Sequence, residues 1–348
     1  MPCFGLAIEF GSVDFLGLPA AVLLLIGLAL LFDLTNGIHD AANSIATIVS
    51  TKVLSPGLAV LWAAFFNVIA VLVFHLNVAG TMGKGLIEPG IVDNSVIAAT
   101  LFTAIGWNLF TWTLGLPTSS SHALTFSLIG AGFAKGGSAI LLWHGIGKTL
   151  LFVVLSPLIG CLIGFAIAVA ILWVIHRWSP GRVTAFFRRG QLLTSAFYSL
   201  GHGGNDAQKT MGVIFVLLIA ASQGGSAFPT PQQVPGEVVV ACYFAMGMGT
   251  LMGGWRIVRT VGQRVIKLRP VDGFSAETGA AITLLMTVYG GIPVSTTHTI
   301  VGAIVGVGAT KRVSAVRWGV ARRIVAAWVL TIPCTAVIAA GLEWLFGR

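Results

Sequence analysis

The chain has 348 residues, of which 56% are hydrophobic and 9% charged, with a mean hydropathy of +0.94 and a net charge of +9. Soluble domains carry about 25% charge, so this composition excludes an ordinary soluble enzyme or nucleic-acid-binding domain. About eight to eleven apolar runs approach the length of roughly 20 residues that crosses a bilayer core. They predict an all-α polytopic membrane protein, since a β-barrel would show short alternating segments.

In chain order, the first apolar run covers residues 15–32 and lacks the basic stretch of a signal peptide before it, so it is expected to stay as a span. Glu9 and Asp14 precede it and predict an extracytoplasmic start. The next segment, "LFDLTNGIHDAANSIATIVSTK" (31–52), sets Asp33, Asn36, His39, Asp40, Asn43, Ser44 and Thr47 between two oily runs. Asp40, Asn43, Ser44 and Thr47 fall at i, i+3, i+4 and i+7, one face of a helix. Gly37 before them predicts a break in the span, and Asp33 is expected at a solvated helix end. Asn67, in the following apolar run, is expected to bond a neighbouring helix.

The loop at 84–93 holds Lys84, Glu88 and Asp93 and is expected outside. It leads to "GLPTSSSHALTFSLIGAGFAKGGSAI" (115–140), where Pro117 sits in a plausible first helical turn ahead of Thr118, Ser119, Ser120, Ser121 and His122. A helix N-terminus carries free N–H groups and partial positive charge, and hydroxyls add donors without adding charge, a combination that suits an oxyanion. Beyond it, Arg177, Arg182, Arg188 and Arg189 crowd a linker, which the positive-inside rule makes cytoplasmic.

The second half repeats the first. "GGNDAQKT" (203–210) answers "GIHDAANS" (37–44) at an offset of 166, with Asp206, Lys209 and Thr210 at i, i+3 and i+4. "GIPVSTTHTIVGAIVGVGATKRVSAV" (291–316) answers 115–140 at an offset of 176, with nine identities in 26 positions, and brings Ser295, Thr296, Thr297 and His298. Gly203 and Gly204 predict a second break. Glu277, in "GFSAETGAA", stands ahead of this second hydroxyl run. The segment 256–269 carries Arg256, Arg259, Arg264, Lys267 and Arg269 where its counterpart 84–93 is net acidic, and Lys311, Arg312, Arg317, Arg322 and Arg323 follow. Twin elements facing opposite sides predict two inverted-topology repeats with interrupted or re-entrant half-helices, over 1–160 and 195–348. The last span of the first half and a basic linker fill 161–194. Many secondary transporters have this architecture, with a site near the midplane. Cys3, Cys161, Cys242 and Cys334 are too dispersed for a metal pair or a disulfide framework.

Ionisable residues inside a membrane are functional candidates, which singles out Asp40, Asp206 and Lys209. With Asn43, Ser44, Thr210 and the two hydroxyl runs they form the expected substrate site. Asp40, Asp206, Glu277, His122 and His298 are candidates for proton coupling. Phosphate keeps a hydroxyl that can donate to an aspartate, whereas sulfate at neutral pH has none.

"GIHDAANSIAT", "HGGNDAQKTMG", "GLPTSSSHA" and "GIPVSTTHT", in that order, closely resemble the duplicated motifs of the inorganic phosphate transporter (Pit) family, over about residues 30–340. The resemblance implies a phosphate symporter with inverted repeats, a homodimer, and phosphate and coupling-ion contacts at Asp40, Asn43, Asp206 and the hydroxyl runs; the expected place is the inner membrane, with both termini extracytoplasmic. Two departures bear on the ion. His39 replaces the Asn of the first motif, and Gln208–Lys209 replaces Ala–Asn in the second. The Lys209 ammonium would compete with sodium, so coupling to protons is expected, carried by an Asp, by His39 or by phosphate itself. A neutral divalent metal–phosphate complex is a further form in the bacterial branch. Asn43, Thr47, Asn205 and Asp206 remain the candidate cation contacts. No cofactor and no nucleic acid is expected. Sodium-coupled phosphate transport, sulfate transport, an anion channel and an intramembrane enzyme are the alternatives, the last lacking any H-E-x-x-H or G-x-S-x-G motif.

Overall fold

A computed structural model describes residues 15–223 and 233–348. Cys3, Glu9 and Asp14 lie outside the described residues. Twelve α-helices are described: α1 (Ala20–Ser50), α2 (Pro56–Ile69), α3 (Asn77–Lys84), α4 (Asn94–Leu114), α5 (Ser120–Gly136), α6 (Trp143–Ile175), α7 (Pro180–Gln223), α8 (Gly236–Met252), α9 (Trp255–Arg259), α10 (Pro270–Tyr289), α11 (Thr296–Lys311) and α12 (Trp318–Phe346). Among the described residues there is no strand, only an isolated bridge between Ile87 and Leu141. Cys161, Cys242 and Cys334 are free thiols.

Among the described residues, five helices are long and apolar enough to cross a membrane, or up to seven when two bent pairs each count as one span. That is fewer than the apolar runs suggest. The motif-bearing α7 carries Asp206 and Lys209, and α11 is 16 residues long, so neither reads as a plain span. The bends are 82° between the helical stretch Pro56–Leu72 and α3, and 62° between α8 and the segment Trp255–Arg264, which is α9 plus one π-helical turn.

The interruptions do not fall where the glycines of the motifs suggest. Gly37 lies inside an unbroken 31-residue α1, and Gly203 and Gly204 lie inside an unbroken 44-residue α7. These glycines permit contact between helices. A Cβ at Gly37 would stand 2.3 Å from the Met246 carbonyl oxygen, and one at Gly203 would stand 2.5 Å from that of Asn67. Asp33 corrects a second expectation: it is fully buried in mid-helix, far from either end of α1. Arg182, Arg188 and Arg189, expected in a linker, lie on the first turns of α7.

Two hairpins, α4–α5 and α10–α11, are built alike. Each turns at a glycine with left-handed backbone, Gly115 at φ 64° and Gly291 at φ 62°, a conformation that other residues adopt only with strain. Each second arm starts with a serine cap: Ser119 Oγ accepts from His122 N at 3.1 Å, and Ser295 Oγ accepts from His298 N at 3.2 Å. The hairpins then cross between halves, α5 lying on α12 and α11 on α6. Apolar residues from both halves form each of two large core clusters, one holding Phe32, Met82, Leu217 and Met246 and the other Ile45, Tyr198, Leu284 and Ile304.

Candidate functional site

The middles of α1 and α7 meet the first turns of α5 and α11, and their polar side chains bond to one another away from solvent. Asp40 lies between His39 and the first hydroxyl run. His39 Nδ1 is 2.6 Å from Asp40 Oδ1, and the Ser120 hydroxyl donates to Oδ2 at 2.7 Å. His39 Nε2 in turn reaches Thr111 Oγ1 at 3.1 Å and Thr118 Oγ1 at 3.3 Å. Asn43 donates to Thr297 Oγ1 at 2.8 Å and Thr296 Oγ1 at 3.4 Å.

The second half mirrors these bonds. Asp206 accepts from Thr296 at 3.1 Å and from Ser121 at 3.3 Å. Lys209 directs its ammonium at three acceptors, each 2.6 Å away: Asp206 Oδ1, Ser121 Oγ and the Val294 carbonyl oxygen. Three partners use all three ammonium protons. Because Ser121 begins α5 and Val294 precedes α11, one lysine ties the two hydroxyl-bearing helix starts together. The correspondence is positional. Asp40 takes Ser120 where Asp206 takes Thr296, and Asn43 takes Thr297 where Lys209 takes Ser121. All of these side chains are buried, none more than 6% exposed.

Other expected members point elsewhere. Ser44 turns to His202 Nδ1 at 3.3 Å, and Thr210 donates to Asp33 Oδ1 at 2.5 Å. Thr47 donates to Glu277 Oε1 at 2.5 Å, one turn beyond the Asp40 cluster. Glu277 is fully buried and also accepts from Gln191 at 2.9 Å and Thr194 at 2.6 Å. A carboxylate with three donors and no cation is a separate polar pocket, joined to the first through α1. His122 and His298 stack edge to face with ring centroids 4.5 Å apart, and Trp328 stacks on His298 at 3.7 Å. Neither imidazole hydrogen-bonds to Asp40 or Asp206; His298 Nδ1 reaches the Val153 carbonyl oxygen at 3.3 Å. Asn205 is fully buried with neither side-chain polar atom in a hydrogen bond. Asn67 donates to Thr250 at 3.0 Å on α8, as a helix-bridging amide does.

Sequence reasoning missed four groups. His202 lies 3.3 Å from Asp206 Oδ2, and its own Nδ1 meets Asn67 at 3.2 Å. Ligand atoms of Asp40, His202 and Asp206 fall within 4.8 Å of one another, a set of donors compact enough for a cation. The i, i+4 spacing of His202 and Asp206 on one helix face was a signal for it. Tyr198, stacked on His202 and donating to the Thr296 carbonyl oxygen at 3.2 Å, carried no such signal. Gln191 and Thr194 likewise needed the packing of α7 on α10 to be seen.

The phosphate transporter family (PHO4) matches residues 36–339. A probable low-affinity inorganic phosphate transporter of Rhizobium meliloti (strain 1021) is 56% identical over 316 residues, covering 91% of this chain and 93% of its own. One of the same description from Bacillus subtilis (strain 168) is 43% identical, covering 91% and 95%. A solved structure described as the sodium-dependent phosphate transporter superposes with a TM-score of 0.84 at 24% identity, over 94% of this chain and 99% of that one, a likeness of fold. The chain is a multi-pass membrane protein that belongs to the phosphate transporter family.

Proposed function

We propose that this protein imports inorganic phosphate across the inner membrane as a secondary active symporter, coupled to protons. The observation that carries the reading is the single buried cluster in which two aspartate-bearing helices meet two serine- and threonine-capped helix starts. Helix N-termini and hydroxyls stabilise the anion, and Asp40 and Asp206 accept from the hydroxyl that phosphate retains. Asn205, whose buried amide has no partner, is free to join the shell. The names of the relatives, low-affinity inorganic phosphate transporters, support phosphate over sulfate.

The two halves act as inverted repeats in this reading. Lys135 and Asp93 clasp the open end of α4–α5 at 2.6 Å, beside Glu343 near the C-terminus. Lys311 and Asp272 clasp the open end of α10–α11, also at 2.6 Å, among the basic residues Lys267 and Arg269. Thr51, just past α1, bonds Gln191 early in α7, while Val22 at the start of α1 shares a groove with Ala220 near the end of α7. Opposed helices of this kind support a cycle in which one repeat rocks against the other, opening the closed cluster first outward and then to the cytoplasmic, basic face. Both described termini belong to the outer side. A homodimer completes the proposal.

Lys209 supports protons over sodium, since its ammonium already fills the position that Asn43 holds in the first half. A second reading, sodium coupling, is favoured by the compact Asp40–His202–Asp206 donors and by the sodium dependence in the description of the structural neighbour. Uptake of radiolabelled phosphate into proteoliposomes, under a proton or a sodium gradient and with sulfate as competitor, separates them. Uptake driven by protons and indifferent to sulfate is expected. A strict sodium requirement would replace the coupling assignment, strong sulfate competition would replace the substrate, and stimulation by divalent metal would mean transport as the metal–phosphate complex.

A further inference from the structure

Asp33 is a second buried carboxylate on α1, two turns before Asp40, and the cluster described above leaves it unused. Its side chain is fully buried. Oδ1 accepts from Thr210, and Oδ2 has no hydrogen-bond partner. A lone carboxylate inside a membrane protein is expensive when charged, and such groups are found paired or neutral.

Among the described residues, no cation is paired with Asp33. On α7 the ionisable groups near it are His202, Asp206 and Lys209. Asp206 repels it, His202 faces Asp206, and the ammonium of Lys209 is fully engaged by Asp206, Ser121 and Val294. On α8 the titratable groups are Glu237, Cys242 and Tyr243; the Cys242 thiol stands beside Asp33, and the buried Tyr243 hydroxyl is itself unpartnered. On α1, His39 is held by Asp40. The neighbouring α4 and α2 contain no ionisable side chain. One turn along α1, buried Asn36 has an acceptor oxygen, Oδ1, that also lacks a partner. The equivalent position of the second half, 166 residues on, is Ser199, and Glu277, a buried carboxylate of that half, has donors on both oxygens where Asp33 has one bare.

We propose that Asp33 is a proton-binding site of the transport cycle, holding a proton while the cluster is closed and exchanging it when α1 and α7 part. The Thr210 hydroxyl is the physical link. It belongs to the same face of α7 as Asp206, at i+4, so a movement of α7 that opens the phosphate cluster also removes the hydrogen bond to Asp33 and admits water to Oδ2. The inference rests on the proton-coupled reading and names where the proton rides.

The test compares the whole protein with Asp33→Asn in proteoliposomes. Two assays are run: exchange of labelled for unlabelled phosphate without any gradient, and net uptake under an imposed proton gradient. Loss of stimulation by the proton gradient with exchange retained is expected. Stimulation equal to that of the unaltered protein overturns the proposal, as does loss of exchange together with stimulation, which would make Asp33 structural. Infrared difference spectra of the unaltered protein keep the idea testable if the variant folds poorly. A protonated carboxyl band that Asp33→Glu shifts supports the assignment, and its absence at neutral pH overturns it. If the unaltered protein exchanges phosphate but ignores the proton gradient, the coupling reading fails, and the infrared result still decides whether Asp33 carries a proton.

Discussion

The two halves of the site share one bonding plan and differ in charge. In the first, Asp40 is paired with His39, and Asn43 reaches across to Thr297. In the second, Asp206 is paired with Lys209, which reaches across to Ser121, while the residue equivalent to His39 is Asn205, with no partner. The geometry of a duplicated scaffold thus survives exchange of an amide for an ammonium. The difference teaches that these helices hold their places through the helix-start hydroxyls, and that the residue opposite is free to set the electrostatics.

The largest effect that separates the halves is expected at the aspartates. Asp206→Asn strands the buried Lys209 ammonium, and breaking a buried pair by removing one partner costs about 3–5 kcal/mol. Transport should be abolished and the midpoint of thermal unfolding in detergent should fall clearly. Asp40→Asn should also abolish uptake but keep membrane insertion and most of the stability, because the cost of one lost hydrogen bond is about 1 kcal/mol. Equal destabilisation by the two variants would remove the electrostatic distinction between the halves.

Next in size, Gly130→Ala and Gly306→Ala probe the parts that are alike. A Cβ at either would stand 2.2 or 2.1 Å from a backbone carbonyl oxygen, of Ala336 on α12 or of Cys161 on α6. Overpacking of this kind costs typically about 1–3 kcal/mol. Similar losses of thermal stability at both positions would show the crossed hairpins to be equivalent supports, and a loss at only one would break the comparison.

Lys209→Asn sharpens it further by giving the second half the amide of the first. Phosphate uptake by this variant should lose stimulation by a proton gradient and gain a response to sodium, measured in the same vesicles. An unchanged ion dependence would separate Lys209 from coupling.

The smallest effect is expected at the clasp between Lys135 and Asp93. Partial burial pushes the Asp93 carboxyl up, but the Lys135 ammonium, the Ser95 hydroxyl and the Val96 N–H outweigh it and hold the group below its ordinary value. A depressed carboxylate stabilises the fold above its unfolded value near 3.8, and that contribution disappears as pH falls through the lower folded value. Asp93 is about half exposed, so the contribution is that of a surface pair. Asp93→Asn should therefore lower the unfolding temperature slightly at neutral pH and not at all in strong acid.

Much of this was legible in the chain alone. Hydropathy declared the membrane because nothing else tolerates long apolar runs with so few charges. Duplicated motifs predicted two halves of one plan, from a gap-free offset of 176 between 115–140 and 291–316. The cap residues and glycine turns of α5 and α11 were readable because local backbone chemistry sets them. Asp40, Asn43, Asp206, Lys209 and the hydroxyl runs were visible as polar groups where hydrocarbon should be. The tertiary structure alone decided which of them meet. Gly37 and Gly203 looked like helix breaks, but their lack of a side chain serves contact with α8 and α2, and nothing local distinguishes those two uses. Thr47 and Thr210 share faces with the cluster in sequence yet bond Glu277 and Asp33, because each is claimed by the helix that packs closest to it. Asp33 looked like a helix end and is buried in mid-helix. Burial is a property of all the neighbours at once, and helical periodicity names a face without naming what covers it.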